Sequence, residues 1–143
     1  MTANKACYRK LTHYKYQLMQ EYDIWIKVLP QAAIDTQFIQ LSIEGHLIIK
    51  KFYAWDGPSG PSIDTLTFMR GSLVHDALYQ LMREGHLSHI EHRKSADDIL
   101  KEICLADGMS SFRAWYVYKA VRLFGEHSAL PTDRPSTPTI CVP

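Results

Sequence analysis

The chain has 143 residues, 46% of them hydrophobic and 22% charged, with a formal net charge of +1. That length supports one domain with a real core, and the balance of charge excludes a strong overall field toward nucleic acid or an anionic membrane. No run approaches the roughly 18 apolar residues that span a bilayer, and Cys7, Cys104 and Cys141 are too scattered for a disulfide framework or a cysteine zinc site, which fits a reducing cytoplasm.

The opening "MTANKACYRKLTHYKYQ" is basic but has no apolar h-region, so it does not read as a secretory signal. The first half is then β-rich. "YKYQLMQ", "DIWIKVL", "FIQLSIE" and "HLIIKKFYAW" are dense in β-branched and aromatic residues, and in "FIQLSIE" Phe38, Gln40 and Ser42 alternate with Ile39, Leu41 and Ile43. Glu44-Gly45 reads as a hairpin turn. These segments predict one small antiparallel sheet over residues 12–55, with "LPQAAIDTQ" as a longer loop that has room for one helical turn.

Residues 55–64, "WDGPSGPSID", carry two Gly and two Pro and predict a fixed, tightly turning loop. A first helix follows over 66–84, ended by Gly85. "GHLSHIEHRK" reads as a connector. "SADDILKEICLADG" predicts a second helix capped by Ser95, with Asp97 and Asp98 in its first turn and Gly108 at its C-terminal turn. "SSFRAWYVYKAVRLFGEH" predicts a third helix from a Ser cap to Gly125, apolar on almost every side, which implies burial or a contact with another chain. The aromatic set Phe112, Trp115, Tyr116, Tyr118 and Phe124 is read as core or interface. The fold class is therefore α+β, a small N-terminal antiparallel sheet packed on a three-helix C-terminal part. Residues 1–130 form the domain, helical over 66–127, and the Pro/Thr-rich tail 131–143 cannot build a core of its own.

Chemistry concentrates on "GSLVHDALYQLM". His75 and Tyr79, four residues apart, share a helical face, while Asp76 is turned roughly 100° away. On the second helix the apolar stripe runs through Ala96, Ile99, Leu100, Ile103 and Cys104. Asp97 lies at its edge and Asp98 on the far side with Lys101 and Glu102, so Asp97 is the one that can meet the first helix. A carboxylate on a ring nitrogen of His75 would fix its tautomer and raise its basicity, making a general base for water. Arg122 is a candidate ion-pair partner for a buried acid. Cys104 reads as a small buried hydrophobe. His86, His89 and His92 form an H-x-x-H-x-x-H run that reads as solvated loop histidines more than as a metal site. An HD-type phosphohydrolase would need further His and Asp ligands on separate helices, and His46 falls in a predicted strand.

Asp76 with turning-loop carbonyls makes an oxygen set suited to calcium. The H-D pair, the Tyr four residues on, the remote Asp97 and the upstream glycine loop resemble the phospholipase A2 site. That resemblance implies His75, Asp97 and Tyr79 as catalytic residues, and Asp76 with Trp55, Gly57 and Ser59 as calcium ligands, with Asp56 and Asp64 as further acids in reach. The family's cysteine staples are absent, and Pro58 and Pro61 replace part of its glycine run. A second resemblance covers most of the chain from the loop onward. Val74-His75-Asp76 with Tyr79, Ala96-Asp97, and Ala120-Val121-Arg122 with Phe124-Gly125 are similar to the phage and bacterial domain of unknown function numbered thirteen-fifty-three. That resemblance implies a phage or prophage origin, location in the host cytoplasm or the virion, and partners among other phage proteins through the third helix and tail. Two functional readings follow. One is a phage-type, metal-assisted ester hydrolase. The other is a non-catalytic virion or accessory protein that keeps the His/Asp cluster as a packing device.

Overall fold

The computed structural model describes residues 5–11, 16–57 and 66–131. The β-rich front forms two antiparallel sheets where a single sheet was expected. β1 (Tyr8–Lys10), β2 (Tyr16–Leu18) and β7 (Ala54–Trp55) make one, in the order β1-β2-β7. β3 (Tyr22–Trp25), β4 (Ile34–Asp35), β5 (Ile39–Leu41) and β6 (His46–Ile49) make the other, in the order β3-β6-β5-β4. The break falls between Leu18 and Tyr22: β2 takes β1 and β7 as its neighbours, and β3 takes β6. β4 occupies part of "LPQAAIDTQ", where a helical turn had room; Ile34 pairs with Leu41 and buries its side chain on the same face.

Alternation sets the register. Tyr22↔Ile49, Ile24↔Leu47, Ile39↔Ile49 and Leu41↔Leu47 are opposed pairs, and all of these side chains are buried on one face. Ile43 breaks the expected pattern and is exposed, because the strand has already turned. That turn runs Ser42 to His46, closed by the Gly45 N–H on the Ser42 carbonyl at 3.0 Å. Gly45 has φ +90°, and a Cβ there would lie 2.2 Å from the Ile26 carbonyl oxygen, so only glycine fits.

Behind the sheets lies α1 (Leu66–Arg83), buried on nearly every side, with Leu73, Val74, Ala77, Leu78, Leu81 and Met82 in the main core. α2 (His89–Ala106) is about two turns longer at its start than expected. Its cap is Ser88, whose hydroxyl accepts from the Glu91 N–H; Ser95 lies inside the helix, and residues 89–94 are helical, not a connector. The sequence S-x-x-E at Ser88–Glu91 is a capping-box pattern and a better start signal than Ser95. Gly108 ends α2 as expected, at φ +99°. α3 (Ser111–Phe124) is capped by Ser110, and the short α4 (Glu126–Ala129) follows.

α1 and α2 approach closely at Gly71, where a Cβ would meet Cys104 Sγ at 2.9 Å. Cys104 is fully buried, as expected, and burial pushes its thiol up to about 12. α3 is seated through Ala114 and Val117 on a second cluster of Phe68, Leu100, Cys104 and Met109. Its apolar residues are mostly not core: Phe112, Trp115, Tyr116, Leu123 and Phe124 are exposed.

A buried arginine ties the layers together. Arg70 on α1 holds Asp107, the C-cap of α2, through Nε at 3.0 Å and Nη2 at 2.8 Å, and donates from Nη1 to the Tyr22 hydroxyl on β3 at 3.0 Å. Replacing Arg70 by Met should cost about 1–3 kcal/mol, since Tyr22 and Asp107 lose a charged donor while Asp107 keeps an outlet to water. Urea unfolding measures it.

Candidate functional site

The site is built where α1, α2 and the end of α3 meet. His75 and Tyr79 stand one turn apart on α1, their rings 4.1 Å between centroids. Asp97, in the third turn of α2 and not its first, faces them and is fully buried. Its Oδ1 accepts from His75 Nε2 at 2.7 Å and from the Tyr79 hydroxyl at 2.6 Å. Its Oδ2 accepts from Arg122 Nη1 at 2.8 Å. Three donors thus converge on one buried carboxylate. Asp98 points to solvent and pairs with Lys94 at 3.0 Å.

Two features of this cluster escaped the sequence reading. Arg93, one turn before Asp97, donates from Nε to the Tyr79 hydroxyl at 3.2 Å and from Nη2 to the carbonyls of Val121 and Arg122, each at 2.8 Å. It binds the last turn of α3, where the Val121 carbonyl also accepts the Gly125 N–H at 2.9 Å, and thereby fixes where Arg122 stands. The four-residue spacing of Arg93 and Asp97 on one helix could have signalled it, but the connector reading of residues 85–94 hid the helix. The second is the packing at Gly125, which the sequence marked only as the end of a helix and a place in the family motif. A Cβ there would lie 2.5 Å from the Val121 carbonyl oxygen and 3.0 Å from the Tyr79 hydroxyl. Gly125→Ala should therefore cost about 1–3 kcal/mol by overpacking and shift the Tyr79 ring, seen as displaced Tyr79 and His75 resonances by NMR.

The electrostatics follow from the contacts. Burial disfavours the Asp97 carboxylate, but the hydrogen bonds from His75, Tyr79 and Arg122 outweigh it and hold the group below the ordinary carboxylate range. Burial likewise disfavours charge on His75, yet the carboxylates of Asp76 and Asp97 outweigh it and raise its pKa. Burial and the Asp97 charge push the Tyr79 phenol well up, so it stays a donor. With Nε2–H given to Asp97, the other nitrogen of His75, Nδ1, lies 3.9 Å from Asp76 Oδ1.

The structure brings His75, Tyr79 and Asp97 together, with Asp76 at the edge. Trp55 is buried, and its indole N–H donates to Ser72 Oγ at 3.1 Å. Gly57 has φ +77°, and a Cβ there would meet the Tyr16 ring at 2.5 Å. Ser59 and Asp64 lie outside the described residues, and Asp56 is exposed. His89 and His92 are on α2, and His92 sits 3.6 Å from its neighbour Glu91. Among the described residues no three His, Cys, Asp or Glu side chains lie together in a way that could hold a metal. Asp76 supplies a hard oxygen donor of the kind calcium takes, so such an ion would draw its remaining ligands from main-chain carbonyls and solvent.

Neither curated proteins nor solved structures give a match to this chain. A family model described as Protein of unknown function (DUF1353) matches residues 42–121, more than half of the length, and the chain belongs to that family.

Proposed function

We propose that His75 and Asp97 form the general-base pair of a hydrolase-like site, phospholipase A2-like in layout, in a protein of phage type. The observation that carries this is the division of the two imidazole nitrogens. Nε2 is given to the buried Asp97, and Nδ1 is on the side of Asp76, whose side chain is 34% exposed. In the neutral ring that leaves the Nδ1 lone pair toward the wetter edge. There it can take a proton from water as water attacks an ester carbonyl. Asp97 holds the ring orientation and stabilises the imidazolium that forms, and Tyr79 and Arg122 keep Asp97 ionised and fixed. Asp76, with main-chain carbonyls of the loop that begins at Trp55 and Gly57, would hold calcium. When bound, that ion would supply a positive charge to polarise the carbonyl.

A second reading, a non-catalytic virion or accessory protein, is favoured by one observation: His75 is only 9% exposed at its side chain, so the cluster can serve as packing. Calorimetric titration of calcium into chelator-stripped protein, with Asp76→Asn as control, separates the two when joined to turnover of ester and phospholipid substrates. Calcium heat lost in Asp76→Asn and turnover lost in His75→Gln support the hydrolase. A well-folded wild type with neither leaves the packing reading.

A further inference from the structure

Four residues from three helices close a cycle of hydrogen bonds behind His75. Arg93 on α2 donates from Nε to the Tyr79 hydroxyl on α1 at 3.2 Å, and that hydroxyl donates to Asp97 Oδ1 at 2.6 Å. Arg122 on α3 donates to Asp97 Oδ2 at 2.8 Å. Its own carbonyl accepts from Arg93 Nη2 at 2.8 Å, which returns the cycle to its start. The two helices thus exchange arginines: Arg93 of α2 holds the backbone of α3, and Arg122 of α3 holds the carboxylate of α2. His75 stands beside the cycle and meets it at Asp97 Oδ1.

The cycle has a direction. A phenol hydroxyl carries one proton and turns to suit its partners. An arginine can only donate, so Arg93 takes the Tyr79 oxygen as an acceptor and leaves the O–H for Asp97. Its planar fork serves the hydroxyl and the carbonyls of Val121 and Arg122 together, which the point charge of a lysine does not. Two of the three donors on Asp97 are therefore placed by one side chain. We propose that Arg93 is a positioning residue, holding Tyr79 and Arg122 so that Asp97 Oδ1 stays aligned on His75 Nε2. Hydrogen bonds in a closed chain polarise one another, so opening the cycle at one member loosens the others. The last turn of α3 thereby becomes part of what orients the imidazole. The consequence for turnover rests on the general-base reading of His75; the alignment does not.

The test reads the proton on His75 Nε2 by NMR, with isotopically labelled histidine, at one fixed pH near neutrality. Held at 2.7 Å from Asp97, that proton should resonate far downfield and exchange slowly with water, and it should be missing from His75→Gln. Arg93→Gln should move the resonance upfield or lose it to exchange, and Arg93→Lys should not restore it. Arg122→Gln should act alike. The double variant should do no more than either single one, because an open cycle cannot be opened again. Arg70→Met, which loosens a different junction of α1 and α2, should leave the resonance in place. In ester turnover, kcat should fall roughly ten-fold in Arg93→Gln with KM unchanged. Circular dichroism checks that each variant is folded, and Arg93→Lys and Arg122→Gln carry the same reading should Arg93→Gln not fold. An unchanged resonance in folded Arg93→Gln overturns the proposal. So does its restoration in Arg93→Lys, its loss in Arg70→Met, or additive effects in the double variant. A wild type that shows the resonance but turns over no ester removes the hydrolase reading alone, and the Arg93 variants still decide the alignment.

Discussion

Asp97→Ala will destabilise the fold by about 3–5 kcal/mol, the largest effect expected of any single substitution in the cluster. The carboxylate is fully buried and accepts from His75, Tyr79 and Arg122. Removing it strands an imidazole and a phenol without water and leaves a guanidinium facing a small void. Arg122 is 31% exposed and can recover part of its solvation, but His75 and Tyr79 are buried and cannot. Urea unfolding of Asp97→Ala beside Asp98→Ala measures the contrast, because Asp98 holds only an exposed Lys94. Equal, small losses in both would mean that the convergence on Asp97 carries no stability. Asp97→Asn adds a further distinction. Its amide can donate to His75 Nε2, which would move the ring proton to Nδ1 and remove the base while the shape is kept.

His75→Gln will abolish hydrolysis by a factor of about 10²–10⁴ if the proposed base is the reacting group, and it will change how stability depends on pH. His75 is raised above its ordinary 6.5 by the carboxylates of Asp76 and Asp97, which outweigh burial. Its stabilising charge is therefore fully present below 6.5 and is lost as pH rises through the raised value. Asp97 is lowered from 3.8, so its contribution is present above that value and is lost as pH falls through the lowered one. Metal-free wild type should thus be most stable in mildly acidic solution and should weaken on both sides. His75→Gln should remove the alkaline decline and keep the acid one. A general base works only when neutral, so turnover should climb over the pH range in which stability declines. Thermal unfolding of chelator-treated protein and a pH–rate profile test this together. An alkaline decline with no turnover at any pH would assign His75 to architecture.

The local patterns were legible in the sequence wherever the determining contacts are near in the chain. The glycine at the Ser42–His46 hairpin, the Gly108 stop and the Ser110 cap each depend on a few neighbouring residues. Helical periodicity was also enough to place His75 with Tyr79 and to turn Asp97, not Asp98, toward α1. What the tertiary structure decided are the choices made by partners distant in sequence. Whether the β segments form one sheet or two depends on which strands pair: β2 takes β7 and β3 takes β6, each from far along the chain, and no local residue pattern encodes that. The outward face of α3 reads as core or interface from the sequence, because apolar content does not say whether anything packs on it; in the fold that face is exposed. Arg93 belongs to the site only because the end of α3 brings the carbonyls of Val121 and Arg122 within its reach. Gly125 belongs because Tyr79, from another helix, fills the space a side chain would need. Periodicity and caps are set over a few residues, whereas a site is assembled by burial that brings distant charges to one point.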